Sequence, residues 1–408
     1  MMIRFKSFIV ILILLNATSL WAQDDGRYLL TEKTYQALSA AQELMAEDKN
    51  NQAEKQLKTL LQKVTEASYE QAVVQQTIGY LYSAKEEYKK ASQFFQQALY
   101  SKALPEKVSH DLQYNLGQLL LADDQYQQGV KVLEQWLTSE PSPPTSAYVL
   151  MASAYYRIQN YKKTIEHIRA AIKKDKSSKE SWYQILLSAH LELEHYKSAI
   201  KVLEILIAKY PYKKNYWLQL SALYLQQNQD FSALAVKMLA KKLDLANGKT
   251  LIKLADMYRY LRIPFKSGKL LESGINEGVI KANYDNLNKL VDSWLAAKEN
   301  QKALETLKQL TALDKSGESD LKQGRVLFSM EKWQQSEQAL SQAEKKISGD
   351  KSGTVQLLLG MTAFHQDKLT QAKTYFSRAT KYENERNQAG QWLRHVETLI
   401  ESQSIEPS

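Results

Sequence analysis

Tyr155-Tyr156-Arg157-Ile158-Gln159-Asn160-Tyr161-Lys162-Lys163-Thr164-Ile165 reads as the end of one helix, a polar turn and the start of a second. Small residues bracket this turn at Ala152, Thr164 and Ala171, twelve and then seven positions apart. Two antiparallel helices approach to about 8 Å only where small side chains sit at their crossing. Working outward, the same spacing recurs along the chain. It falls at Ala41, Ala53 and Leu60, at Gly79, Ala91 and Ala98, and at Gly117, Gly129 and Trp136. Beyond Ala171 it falls at Leu187, Ala199 and Leu206, at Ser221, Ala233 and Ala240, and at Ala255, Ser267 and Gly274. Val291, Ala303 and Leu310, then Gly324, Ser336 and Ala343, then Gly360, Ala372 and Ala379 complete ten units. Leading members stand 33 to 38 residues apart, a period that marks stacked helix hairpins.

Around the small positions lie the residues that would lock such a stack. Leu57, Phe95, Leu133, Ile168, Leu203, Leu271, Leu307, Leu340 and Phe376 each fall one helical turn past the second small position. Tyr88, Tyr126, Tyr161, Tyr196 and Trp333 open second helices. Only 14 Gly and 7 Pro occur in 408 residues, and no stretch alternates apolar and polar side chains as a strand would. The expected fold is all-α: an α-solenoid superhelix of about ten helix-turn-helix repeats over residues 34–382. A capping helix is expected over 383–400, because an exposed terminal hairpin needs one, and a disordered tail over 401–408. Residues 138–146, 314–320 and 348–353 read as inter-repeat loops.

The first 22 residues read as a signal peptide. Arg4 and Lys6 supply positive charge, Phe8 to Leu15 an apolar core, and Ala22 a small residue at the expected cleavage point before Gln23-Asp24-Asp25. An uncleaved anchor is the alternative, although the apolar run is short of the roughly 20 residues a span needs. Residues 23–33 form a short lead. Absence of cysteine excludes disulfides and thiolate chemistry. Periplasmic localisation, with no integral span in the mature chain, is the expectation. The net charge of +9 over this length is mild and far from a nucleic-acid footprint.

No catalytic constellation emerges. Of six histidines only His190 and His195 are near neighbours, and five positions on a helix turn them about 140° apart, off zinc-ligand spacing. No phosphate loop or nucleophile elbow occurs. Glu86-Glu87 and Asp123-Asp124 sit at turns as solvated carboxylates. No metal site, cofactor or enzyme activity is expected.

These residues resemble the tetratricopeptide repeat over about 34–382. Leu60, Trp136, Leu187, Leu206, Val291 and Leu310 depart from it, being large where the family prefers small residues. The resemblance implies that first helices line the concave side and that residues one, four and five after each leading small position point inward. Those positions, with Tyr114 on the same face, give a candidate partner-binding groove: Tyr80, Tyr114, Tyr156, Arg157, Asp256, Arg259 and Tyr260. Tyr and Arg are frequent interface anchors; packing between helices is the competing role for each tyrosine.

The run Trp182-Tyr183-Gln184-Ile185-Leu186-Leu187, with Tyr196-Lys197-Ser198-Ala199, Tyr210-Pro211, Tyr216-Trp217-Leu218-Gln219-Leu220 and Gln391-Trp392-Leu393-Arg394, is similar to one bacterial group. That group is the periplasmic tetratricopeptide proteins encoded with TonB-type energy-transduction systems, in which ExbB and ExbD drive TonB. The resemblance implies a non-enzymatic scaffold accessory to outer-membrane import, with partners among TonB, ExbB and ExbD and no nucleic acid. A scaffold for outer-membrane protein or polysaccharide assembly stays open beside it. An enzyme or solute-binding protein would need a closed pocket.

Overall fold

The computed structural model describes residues 28–405. Helices account for all regular structure there, 21 of them with no strand. The chain divides into two compact units, Met1–Leu206 and Ile207–Ser408. The proposed leader, residues 1–22, lies outside the described residues.

In the first unit, α1 (Glu32–Ala46) pairs with α2 (Asn50–Leu61), and α3 (Tyr69–Ala84) with α4 (Tyr88–Tyr100). Then α5 (Glu106–Ala122) pairs with α6 (Tyr126–Ser139), and α7 (Thr145–Arg157) with α8 (Tyr161–Lys174). Helices α9 (Glu180–Glu192) and α10 (Tyr196–Lys209) follow. In the second unit, α11 (Lys214–Gln226) pairs with α12 (Asp230–Lys242), and α13 (Gly248–Tyr260) with α14 (Pro264–Asn276). Next, α15 (Tyr284–Ala296) pairs with α16 (Asn300–Leu313), and α17 (Glu318–Ser329) with α18 (Trp333–Lys346). The series ends with α19 (Lys351–Phe364) on α20 (Leu369–Ala379), and α20 against α21 (Arg386–Ile405).

The small-residue spacing is the crossing geometry. A Cβ on Gly79, Gly117, Gly324 or Gly360 would lie 2.3, 2.5, 2.6 and 2.6 Å from Phe95, Leu133, Leu340 and Phe376 respectively. Each of those is the large residue one turn past the second small position, so the leading glycine admits it. The first and second small residues also meet directly: Ser221 and Ser336 hydroxyls donate to the carbonyls of Ala233 and Gly324, at 3.4 and 3.0 Å. Departures from small residues are absorbed locally. Trp136 is buried with its ring 4.4 Å from Tyr114 and 5.6 Å from His110, while Val291 and Ala303 are both fully buried.

Each hairpin turns in the same way. The residue seven after the leading small position has left-handed φ in all ten units: Asp48, Glu86, Asp124, Gln159, Glu194, Asn228, Arg262, Lys298, Glu331 and Asp367. The next amide donates five residues back, as Asn160 N to Tyr155 O at 2.9 Å and Ile263 N to Tyr258 O at 2.8 Å. This six-to-one bond satisfies a terminal helix carbonyl that would otherwise be orphaned. None of the ten is glycine, the residue that reaches this region without strain.

Two expectations at the ends are adjusted. The last helix begins at Arg386 rather than 383 and runs on to Ile405, so residues 401–405 are helical where a disordered tail was expected. Residues 406–408 lie outside the described residues. The loop at 314–320 is tightly tied: Asp314 accepts from the Ser316 amide and hydroxyl at 2.8 and 2.6 Å and from the Ser319 amide at 2.7 Å. These bonds hold the Asp314 carboxyl down at about 2 against the opposing effect of burial, which is individually the largest influence on it.

Candidate functional site

The expected face divides between the two units. Tyr80, Tyr114, Tyr156 and Arg157 belong to the first; Asp256, Arg259 and Tyr260 belong to the second. In the first unit the tyrosines are half-buried and engaged. Tyr80 packs edge-on against Phe95 at 5.0 Å, Tyr114 lies on Trp136, and Tyr156 meets Tyr161 edge-on at 5.4 Å. Burial, with the Glu192 carboxylate nearby, raises the Tyr156 phenol above its ordinary value, so it stays a neutral donor. Arg157 is exposed.

In the second unit Asp256, Arg259 and Tyr260 come together. They project from the last turns of α13 into an open recess of about 690 Å³ shared with α15 and completed by Arg262, Lys289 and Asp292. Tyr260 is 72% exposed, well beyond what a packing role requires. Asp256 takes the Lys289 ammonium on both oxygens, at 2.7 and 2.8 Å. Asp292 takes Lys322 from α17 at 2.9 Å, and Lys322 also donates to Asn288 at 2.9 Å.

This ladder obeys a rule that the inward-facing reading missed. Asp256 and Asp292 stand one past a leading small residue, whereas Lys289 and Lys322 stand two before the next one. In the first unit the same register pairs Tyr80 with Asn115, whose amide donates to the phenol oxygen at 3.2 Å. Three pairs of successive first helices, α3–α5, α13–α15 and α15–α17, are therefore joined side by side through positions +1 and −2. The signal was present in the sequence as Asn115, Lys289 and Lys322 at −2. Arg262 was missed because it belongs to the turn, where its left-handed backbone (φ 60°) brings it into the recess.

Electrostatically the two carboxylates of the recess are already engaged by lysines. The guanidinium groups of Arg259, Arg262 and, on α17, Arg325 have no hydrogen-bond or ion-pair partner among the described residues. Exposed pairs of this kind contribute only about 0.2–1 kcal/mol each to stability. Their larger consequence is that, of the charged groups lining the recess, Arg259 and Arg262 are the ones left unpaired.

A second recess, about 410 Å³, lies on the terminal hairpin between α1 and α2. Lys33, Lys55 and Lys63 ring it, over Ala37 and Leu60. Among the described residues no group of three or more His, Cys, Asp or Glu is placed to hold a metal ion. No described helix is long and apolar enough to cross a membrane. His190 and His195 are 5.9 Å apart between ring centroids, but His190 is buried beside Arg169, 3.4 Å from its Nε2.

Residues 67–103, the α3–α4 hairpin, match the family model described as tetratricopeptide repeat. Residues 123–206 match the model described as anaphase-promoting complex, cyclosome, subunit 3. No curated protein matches the chain. Among solved structures, a MamA fragment from Desulfovibrio magneticus is 17% identical, covering 42% of this chain and 94% of its own, with a TM-score of 0.33. The APC/C hetero-tetramer Cut9-Hcn1 gives 11% identity over 89% of this chain and 83% of the other, with a TM-score of 0.30. The P58(IPK) TPR domain gives 12% identity over 92% and 100%, with a TM-score of 0.27. Global overlap in these is low; the repeat assignment rests on the matched hairpin and on the ten like turns.

Proposed function

Taking the chain as a tetratricopeptide-repeat protein, we propose that it is an exported, periplasmic scaffold whose α13–α15 recess receives a segment of a cell-envelope protein. The partner belongs to a TonB-type energy-transduction system, TonB itself or its ExbB and ExbD drivers, and the role is accessory to outer-membrane import. The single observation that supports a binding role is the recess in which Tyr260 stands exposed beside two arginines without counter-ions. Tyr and Arg are enriched among interface anchors, and the planar guanidinium fork is pre-organised so that less freedom is lost per hydrogen bond formed. The sequence likeness of the Trp182–Leu187, Tyr216–Leu220 and Gln391–Arg394 runs supports the choice of partner, and the Arg4–Ala22 segment supports export.

The test is capture from envelope fractions with the wild-type chain and with Arg259→Ala plus Tyr260→Ala. Loss of a TonB-system protein from the captured set, with unchanged helicity and melting temperature, is the expected result. Equal capture by both proteins would remove the recess from the account. N-terminal sequencing of the native protein should begin at Gln23; an intact Met1 would mean a membrane anchor.

A further inference from the structure

We infer that the α13–α15–α17 face recognises an acidic segment of its protein partner, read by the guanidinium groups of Arg259, Arg262 and Arg325. The inference rests on the reading that this recess is the partner site, and it specifies the partner's chemistry.

Charge complementarity selects the partner. Five ionised groups line the recess, Asp256, Arg259, Arg262, Lys289 and Asp292, and Lys322 and Arg325 follow on α17. Asp256 is held by Lys289 and Asp292 by Lys322, so both negative charges are met within the chain. What remains is Arg259 and Arg262 in the recess, with Arg325 exposed on α17 in the same register as Asp256 and Asp292, none of them with a partner among the described residues. A basic segment would meet them as like charges, with the two carboxylates that could offset this already engaged. An acidic segment finds the reverse: free guanidinium forks whose planar donors match a carboxylate in two parallel bonds. Within the recess lysine serves inside the chain and arginine is left for the visitor. Tyr260 supplies an exposed ring and hydroxyl at the same mouth, which suits an extended peptide better than a small anion in an open recess.

Arg262 offers a variant that separates the guanidinium from the fold. It occupies the left-handed position of its hairpin turn, where a side chain costs backbone strain that glycine would not. Removing its guanidinium by Arg262→Gly therefore also relieves strain, and a loss of binding in that variant is not a loss of fold.

The test uses the full chain and fluorescein-labelled extended peptides in which glutamates are interspersed with serines, with matched peptides carrying glutamine instead. Anisotropy at low salt should show the glutamate peptide bound and the glutamine peptide weaker by about tenfold or more. Affinity should fall steeply from about 0.05 M to about 0.3 M salt. Arg259→Gln combined with Arg262→Gly should cost about tenfold or more, and Arg259→Lys should recover only part of that because it keeps the charge and loses the fork. Asp256→Asn leaves Lys289 unneutralised and should tighten the glutamate peptide, a gain that misfolding cannot mimic. Lys55→Gln plus Lys63→Gln, on the terminal recess, should change nothing. Equal binding of the two peptides, insensitivity to the arginine changes, or loss through the Lys55 and Lys63 changes instead would each overturn the inference. Should the glutamate peptide fail while capture of an envelope protein still depends on Arg259 and Tyr260, the partner site stands and its acidic specificity falls. Should the peptide bind and no envelope protein be captured, the opposite holds.

Discussion

The Ser336 hydroxyl donates to the carbonyl oxygen of Gly324, 3.0 Å away and twelve residues earlier, and so fixes the crossing of α17 on α18. Leu340 fills the space that the absent Gly324 side chain leaves, with its Cδ2 2.6 Å from where a Cβ would stand. Gly324→Ala should therefore overpack the crossing and cost ~1–3 kcal/mol. Gly390→Ala is the contrast. It lies within α21 with only Arg394 Nη1, at 3.7 Å, near its missing Cβ, so alanine should stabilise by about 0.5–1 kcal/mol. Urea denaturation of both variants checks the pair; shifts of the same sign would contradict the crossing account.

The left-handed turn residues predict another opposition of signs. Gln159 has φ 59° and no side-chain bond there, so Gln159→Gly should raise stability by about 1 kcal/mol as strain is relieved. Its neighbour Asn160 caps α8, accepting from the Lys163 amide at 3.2 Å, so Asn160→Ala should lower stability by about 0.5–2 kcal/mol. Thermal melts of the two variants decide it.

Acid sensitivity should begin with the two buried histidines, His167 and His190, both pushed down by burial and His190 the further. Burial pushes the His190 imidazole down from 6.5 to about 4, reinforced by the charges of Arg169 and His195. Its Nδ1 is buried with no hydrogen-bond partner among the described residues. Between pH 6.5 and about 4 the unfolded chain binds this proton and the folded chain does not, so stability is full above 6.5 and declines as pH falls through that window. Replacement by His190→Gln should flatten the dependence of melting temperature on pH in that range. Glu54 acts lower. Hydrogen bonds from Lys58, Lys85 and Tyr82 hold its carboxyl at about 2, so its contribution is lost only from 4.5 downward. An unchanged profile above pH 4.5 in His190→Gln would remove His190 as the cause.

The repeat was legible in the sequence because its constraint is steric and falls on residue size. Gly79 with Phe95, and Gly360 with Phe376, state the crossing in two letters each. The turns were not legible in the same way. Left-handed φ normally announces itself as glycine, whereas here Glu86, Gln159 and Lys298 take it, held by the six-to-one bond of the following amide. The candidate site was half legible. Counting one and four past Ala255 led to Asp256 and Arg259, but Lys289 and Lys322 lie at −2 on the following repeats, and only contacts across helices reveal that register. Tyr114 was read as facing the partner, yet its ring is spent on Trp136, the large residue that the third small position of that repeat carries.

The most direct measurement is photo-crosslinking from position 260 in living cells. A benzophenone side chain in place of Tyr260 is compared with the same side chain at Leu239, which is 48% exposed on α12. The account predicts an adduct with a TonB-system protein from position 260 and none from 239, reduced when Arg259 is replaced by Gln. Equal adducts from both positions, or an adduct from 239 alone, would contradict the claim that the α13–α15 recess is the partner site.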